Sequence, residues 1–191
     1  MKAQLARWVS ILFDSSVLSL GVFPLVGWTA AGWRGIGWAV VALLILTGIP
    51  LVYIQVGMRR GWVSDWELTR RGERPRFIAV SFASDVLALL VLGWGNAPHI
   101  LWVLALVYAG LGLTMFTISS MWKISLHMVG VSGFSTLLVF VFGAGAWWTF
   151  LSLPLVAWAR LERKKHTLAQ LIAGAVDGIL ITAGILLLTA R

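Results

Sequence analysis

GIGWAVVALLILTGIPLVYIQVG, residues 35–57, runs for 23 residues without a charged side chain. The hydrocarbon core of a bilayer is about 30 Å thick, and a helix needs about 20 apolar residues to cross it. Since a backbone in lipid must satisfy its own hydrogen bonds, such a run is expected to be an α-helix. Comparable runs give seven predicted spans, of which the sixth is short: 8–28, 35–57, 76–95, 98–119, 124–144, 146–160 and 168–189.

The overall composition also indicates a membrane protein. Hydrophobic residues make up 60% of the 191 residues and charged residues only 12%, whereas a soluble domain carries about 25% charged residues. Lipid has to cover the surplus apolar surface. We therefore predict an all-α integral membrane protein, a bundle of six to seven transmembrane helices without a soluble domain. The absence of cysteine from the sequence excludes disulfides and thiol catalysis.

The basic residues lie almost entirely in alternate gaps between the predicted spans. The N-terminus and the gaps after spans two, four and six hold most of them, whereas the other side holds only Arg34 and Arg191. By the positive-inside rule, the N-terminus and those gaps face the cytoplasm and the C-terminus faces out. This topology accounts for the net charge of +8, so we do not expect nucleic acid as a partner.

Three polar segments share the predicted cytoplasmic side: residues 65–76, 123–127 and 160–170. Two predicted spans separate each segment from the next, so helical hairpins return the chain to the same surface. Together the segments supply Arg, Lys, Ser and two His with few acids, a set that binds an anion such as phosphate. A pair of histidines can also provide a nucleophile and a proton donor.

Each segment has a simpler interpretation as well. Arginine-rich cytoplasmic loops follow the positive-inside rule and attract anionic lipid head groups, and Lys123 at the end of a span can snorkel to the interface. His127, about one turn into a predicted span, is either a functional residue or a packed, hydrogen-bonded one. Asp14 and Asp85 are acids within predicted spans, where they can pair with cations at helix ends.

The last polar segment resembles a known motif. RLERKKHTLAQ, residues 160–170, is similar to the third motif of the type 2 phosphatidic acid phosphatase superfamily, which reads Ser-Arg, five residues, His, three residues, Asp. Arg160 and His166 match this motif in identity and spacing. Ala159 stands in place of the serine, and Gln170 stands in place of the aspartate.

Two other segments resemble the remaining motifs of that superfamily, in the same order along the chain. ISLH, residues 124–127, resembles Pro-Ser-Gly-His through Ser125 and His127. GERPR, residues 72–76, resembles the end of the first motif, Lys, six residues, Arg-Pro, through Arg74 and the proline that follows it.

The first motif also has a departure, because Glu67 stands at the position of its lysine. Arg70 or Arg71 is therefore expected to supply that cation. The resemblance implies a phosphate site formed by six side chains of the three segments: Arg74, Arg160, Lys123, Ser125, Arg70 and Arg71.

The resemblance further implies a mechanism without metal or cofactor. His166 would attack the phosphorus and form a phosphohistidine intermediate. His127 would protonate the leaving oxygen and then activate water. Gln170, four residues after His166, would accept a hydrogen bond from its Nδ1–H and hold the useful tautomer, although an amide cannot stabilise an imidazolium as a carboxylate does.

The function implied is hydrolysis of a lipid phosphate monoester or diphosphate at the cytoplasmic interface, in an atypical bacterial branch of the superfamily and in the bacterial cell (inner) membrane. The superfamily-like core would be residues 58–191, after an N-terminal two-helix region, 1–57. Membrane lipids are the expected surroundings and a lipid phosphate the expected substrate. Two alternatives stay open: an isoprenyl-diphosphate phosphatase, and a non-catalytic lipid-binding or transport protein on a degenerate scaffold, which Gln170 favours. The sequence specifies neither the lipid nor the oligomeric state.

Overall fold

The computed structural model describes residues 1–190, apart from the side chain of Arg71. Arg191, used above for the topology, lies outside the described residues. The protein is 85% helical and residues 1–190 contain no strand, which confirms the all-α class. The helices are α1 Lys2–Leu12, α2 Ser15–Leu43, α3 Ile49–Arg59, α4 Arg74–Trp94, α5 His99–Met121, α6 Leu126–Phe142, α7 Ser152–Glu162 and α8 Leu168–Thr189. A π-helical turn, Leu44–Gly48, precedes α3, and 3-10 segments precede α4 and α7, at Arg71–Glu73 and Ala144–Leu151.

Four stretches of helix are long and apolar enough to cross a membrane: Ser15–Arg59, Arg74–Trp94, His99–Met121 and Leu168–Thr189. Helix α6 is apolar but has 17 residues, and α1 and α7 have 11 each, fewer than the about 20 that a span needs. The described part of the chain therefore contains four candidate spans, where the sequence predicts six to seven.

The longest of these stretches, Ser15–Arg59, contains a sharp bend. Ala31 and Gly32 have non-helical backbone angles, and Gly32 has φ +54°, in the left-handed region that glycine adopts without strain. Beyond the bend the chain folds back on itself. The two sides of the bend are so close that a β-carbon on Gly35 would collide with the carbonyl of Gly27. The break that the sequence predicts at residues 30–35 is therefore present in the structure.

The first predicted span, 8–28, is interrupted at the junction of α1 and α2. The carboxylate of Asp14 accepts a hydrogen bond from the backbone N–H of Ser16 through Oδ1, at 2.9 Å. This satisfies a donor that the first turn of α2 would otherwise leave open. Hydropathy alone predicts a continuous helix here, because it does not register a local bond between side chain and backbone.

The backbone forms two compact units, of which the first comprises residues 1–22 together with residue 124 onward. Its apolar core joins α1 and α7 to α6 and α8 through seven buried side chains: Ala6, Val9, Met128, Val131, Val156, Ala159 and Leu171. Helices α6 and α8 approach most closely at two glycines of α8. A β-carbon on Gly174 would lie 2.8 Å from the carbonyl oxygen of Ser125, and one on Gly178 would collide with Ser132.

The second unit, residues 23–123, holds most of α2 and helices α3 to α5. Gly112 of α5 lies against Asp85 of α4, since a β-carbon at Gly112 would be 3.1 Å from the Asp85 carboxylate. Arg34, just after the bend in α2, donates a hydrogen bond to the backbone carbonyl of Asn96 at 2.7 Å. This bond connects the bend of α2 to the turn between α4 and α5.

We expect Gly178→Ala to destabilise the protein by about 2 kcal/mol, because the added methyl group overpacks the contact between α6 and α8. The free energy of unfolding, measured by SDS titration of the protein in detergent micelles, checks this. Gly184→Ala is the matched control on the same helix. Nothing lies within 4 Å of its β-carbon, so it should be neutral or slightly stabilising. Equal effects of the two substitutions would contradict close packing at Gly178.

Candidate functional site

Ser125 begins α6 as its N-cap. Its extended backbone and its hydroxyl, which accepts a hydrogen bond from the Met128 N–H at 3.4 Å, are typical of serine in this position. The side chain is fully buried. The N–H of Ser125 itself donates to the backbone carbonyl of Gln170 at 3.4 Å. The start of α6 is thus joined to the first turn of α8, so two of the three predicted polar segments meet in the first unit.

His127 lies in the first turn of α6 and is buried, with 8% of its surface exposed. Its Nε2 is 3.0 Å from the backbone carbonyl oxygen of Ser10 and 3.6 Å from Oδ2 of Asp14. The carbonyl can only accept a hydrogen bond, so Nε2 carries a hydrogen and donates it. Ser10 is in the last turn of α1, where carbonyl groups lack partners within the helix. His127 therefore satisfies the end of α1.

His166 lies just before α8 and is also buried, at 9% exposure. Its Nδ1 is 3.2 Å from Oε1 of Gln170. The same Oε1 accepts a hydrogen bond from the backbone N–H of Thr167 at 3.1 Å, and the Thr167 hydroxyl accepts one from the Gln170 N–H. Thr167 and Gln170 thus form a capping box, which fixes the first turn of α8.

The capping box determines the tautomer of His166. Because the Thr167 N–H requires an acceptor, the Gln170 amide must present its oxygen here, and that oxygen cannot donate. The hydrogen bond at 3.2 Å therefore needs a hydrogen on Nδ1 of His166. The neutral ring then carries its lone pair on Nε2, the arrangement that a nucleophilic or basic imidazole requires.

Arg160 lies in the last turn of α7 and is 3% exposed. Its backbone carbonyl accepts a hydrogen bond from the Lys165 N–H at 3.1 Å, and Lys164 has φ +50°, so the chain turns tightly between α7 and His166. Ala159, which stands in place of the expected serine, is fully buried among apolar side chains. A hydroxyl group there would need a partner that an apolar core does not provide.

The remaining predicted phosphate ligands belong to the second unit. Arg74, the first residue of α4, is 3% exposed, and its Nε donates to the backbone carbonyl of Leu68 at 3.1 Å. Arg70 is exposed and Lys123 is partly buried. Arg71 has a described backbone, but its side chain lies outside the described residues. The role of these four cations stays a prediction.

Asp14 and Ser10 are the residues of this site that the sequence does not assign. Asp14 is recognisable as an acid in an apolar segment, but its partner is not, because His127 lies far along the chain. The Ser10 carbonyl, 117 residues from His127, has no signal in the sequence at all. Within residues 1–190, no three His, Asp or Glu side chains are grouped so as to hold a metal ion.

No protein-family model, no curated protein and no solved structure matches this chain. The resemblance between its motifs and the phosphatase superfamily therefore stays a proposal.

We expect Gln170→Met to release the tautomer of His166, because methionine has a similar shape but lacks the acceptor that holds Nδ1–H. The nitrogen chemical shifts of ¹⁵N-histidine-labelled protein check this, and with three histidines in the chain the signals can be assigned by substitution. Wild-type His166 should be an Nδ1–H ring and the variant a mixture. Gln170→Glu, which keeps an acceptor, should resemble the wild type. An Nε2–H ring in the wild type would refute the assignment.

Proposed function

We propose that the protein is an integral membrane phosphatase of the type 2 phosphatidic acid phosphatase superfamily, which hydrolyses a lipid phosphate through a phosphohistidine intermediate. The observation that carries the proposal is the network of Thr167, Gln170 and His166, in which one amide oxygen holds the imidazole as the Nδ1–H tautomer. This state is the one required for attack through Nε2. The departure from the superfamily, Gln170 for aspartate, thereby keeps the orienting contact.

The first step transfers the phosphoryl group to the protein. Nε2 of His166 bonds to phosphorus while the bond from phosphorus to the leaving oxygen breaks, and His127 supplies the proton that this oxygen needs. Arg160, a buried guanidinium in the same unit, can neutralise the phosphoryl oxygens. Ser125 and the N-terminus of α6 add hydrogen-bond donors.

The second step releases phosphate. His127, now neutral, takes a proton from water, which attacks phosphorus and breaks its bond to Nε2. Gln170 holds Nδ1–H throughout, so His166 leaves as the neutral ring with which it began. The motif resemblance adds Arg74, Lys123 and one of Arg70 and Arg71 as further ligands of the phosphate, and it includes isoprenyl diphosphates among the candidate substrates.

A non-catalytic lipid-binding protein is the second candidate function. The observation that favours it is the hydrogen bond between Nε2 of His127 and the Ser10 carbonyl, since a histidine that only ties two helices together would make the same contact. In that case Gln170 would serve α8 as a cap and nothing more. The two candidates differ in whether phosphate is released.

We expect purified protein in detergent micelles to release inorganic phosphate from phosphatidic acid or from farnesyl diphosphate, and His166→Ala to lower the rate at least about 10²-fold. Phosphate release is measured directly. His99→Ala, which changes the exposed histidine at the start of α5, is the matched control and should keep wild-type activity. If wild-type protein releases no more phosphate than His166→Ala on any lipid phosphate, the enzymatic proposal fails and lipid binding replaces it.

The proposed orientation has the N-terminus in the cytoplasm and six to seven spans in the cell membrane. The hydrogen bond from Arg34 to Asn96 supports one part of it, the assignment of the two gaps that hold these residues to the same side. Since the natural chain has no cysteine, we expect Ser64→Cys to be labelled by a membrane-impermeant maleimide only from the cytoplasmic side, and His99→Cys only from the outer side. Labelling of both from one side would refute this topology.

A further inference from the structure

The junction of α1 and α2 places a carboxylate beside the buried imidazole of α6. Oδ1 of Asp14 accepts from the Ser16 N–H at 2.9 Å and caps α2. The other oxygen, Oδ2, lies 3.6 Å from Nε2 of His127. Asp14 thus caps α2 with one carboxylate oxygen and faces the ionisable ring of His127 with the other.

The backbone of α1 adds a second constraint on the same nitrogen. The Ser10 carbonyl, 3.0 Å from Nε2, keeps a hydrogen on that atom in the neutral ring as well as in the charged one. The proton that His127 exchanges during a reaction is therefore the one on Nδ1. The carbonyl also lies at the C-terminal end of α1, where the helix dipole favours a cation.

Burial makes a charged His127 costly unless a negative group lies near it. The ring is 8% exposed, whereas 39% of the Asp14 side chain is exposed. The carboxylate is therefore partly exposed on one side and faces the imidazole on the other. An arrangement of this kind stabilises imidazolium over imidazole and also restrains the rotation of the ring.

We infer that Asp14 is a positioning residue of the proposed reaction: it acts through His127, whose proton-carrying form and orientation it maintains for the leaving oxygen. This inference rests on the proposed phosphatase function. It also assigns a part in the site to the junction of α1 and α2, which lies outside the segments that resemble the superfamily motifs.

Other ionisable groups on the elements around α6 contribute to the same field. They are Lys2 and Arg7 on α1, Arg160 and Glu162 on α7, His166 before α8, and Asp177 within α8. Lys2, Arg7 and Glu162 are exposed, so water screens them. Arg160 is buried, and its positive charge disfavours a charged histidine in the same unit. This makes the carboxylate of Asp14, 3.6 Å from Nε2 of His127, more necessary.

Asp14→Asn separates the two roles of Asp14. Asparagine caps a helix as well as aspartate does, so α2 should begin at the same residue, but the negative charge is gone. We expect kcat for lipid phosphate hydrolysis to fall about tenfold near neutral pH. The alkaline limb of the pH–rate profile should move to lower pH, because the buried imidazole of His127 then lacks the carboxylate that lies 3.6 Å from it. KM should change little, since Asp14 does not touch the substrate.

Two further variants test the specificity of that result. Asp14→Glu, which keeps a carboxylate at this position, should have an alkaline limb closer to that of the wild type than to that of Asp14→Asn. Glu162→Gln removes one negative charge from an exposed site in the same unit and should leave the profile unchanged. If Asp14→Asn shows a lower melting temperature, Asp14→Ser, another cap without charge, replaces it. If the wild type is active and the pH–rate profile moves in neither Asp14→Asn nor Asp14→Ser, the inference is overturned and the phosphatase proposal stays intact.

A spectroscopic measurement separates failure of this inference from failure of the proposed function. In ¹⁵N-histidine-labelled protein, His127 should keep a hydrogen on Nε2 at every pH. Its second proton, on Nδ1, should be retained to higher pH in the wild type than in Asp14→Asn. Equal titration of the two proteins overturns the pairing whether or not the protein is an enzyme. A difference in titration without phosphate release supports the pairing and overturns the catalytic role together with the proposed function.

Discussion

Close packing between α6 and α8 is the constraint on which the candidate site depends. Gly174 and Gly178 add no side chain of α8 to the contact, so the backbone of α8 lies against Ser125, Val129 and Ser132 of the α6 segment. Small residues permit this approach in membrane helices, where lipid supplies no hydrophobic force between them. The approach brings the N–H of Ser125 to the carbonyl of Gln170. A larger residue at either glycine would separate the segment of His127 from that of His166.

Several polar contacts in this unit lie at helix ends. Each helix terminus leaves backbone groups without partners inside the helix. Asp14 supplies a hydrogen-bond partner for a backbone group at the start of α2, and Thr167 and Gln170 supply two partners at the start of α8. His127 supplies a partner at the end of α1. Of these side chains, His127 is also proposed to transfer a proton, and Asp14 and Gln170 are proposed to position the two histidines. Structural and catalytic effects of a substitution therefore have to be separated by matched variants.

Several features could be predicted from the sequence because they depend on local patterns. The predicted span 168–189 coincides with α8, and the predicted break at 30–35 contains the bend at Ala31 and Gly32. The contact of Gln170 with His166 was also expected, from the motif resemblance and the spacing of four residues. The structure gives another cause, since His166 precedes α8 and the contact comes from its capping box. The continuous span 8–28 and the sixth span, 146–160, were not found as single helices, because hydropathy does not register caps or 3-10 segments.

The sequence by itself determined the helical class, the apolar character, and the residue types and spacing of the polar segments, since each of these follows from composition or from neighbours along the chain. The contacts of the two histidines depend on the tertiary structure to different degrees. Gln170 is four residues from His166, whereas the Ser10 carbonyl and Asp14 reach His127 only after α1 has packed beside α6 and α7. No rule of local spacing connects residues so distant in the chain. The close approach of helices in the folded unit decides that contact, and with it the charge around His127.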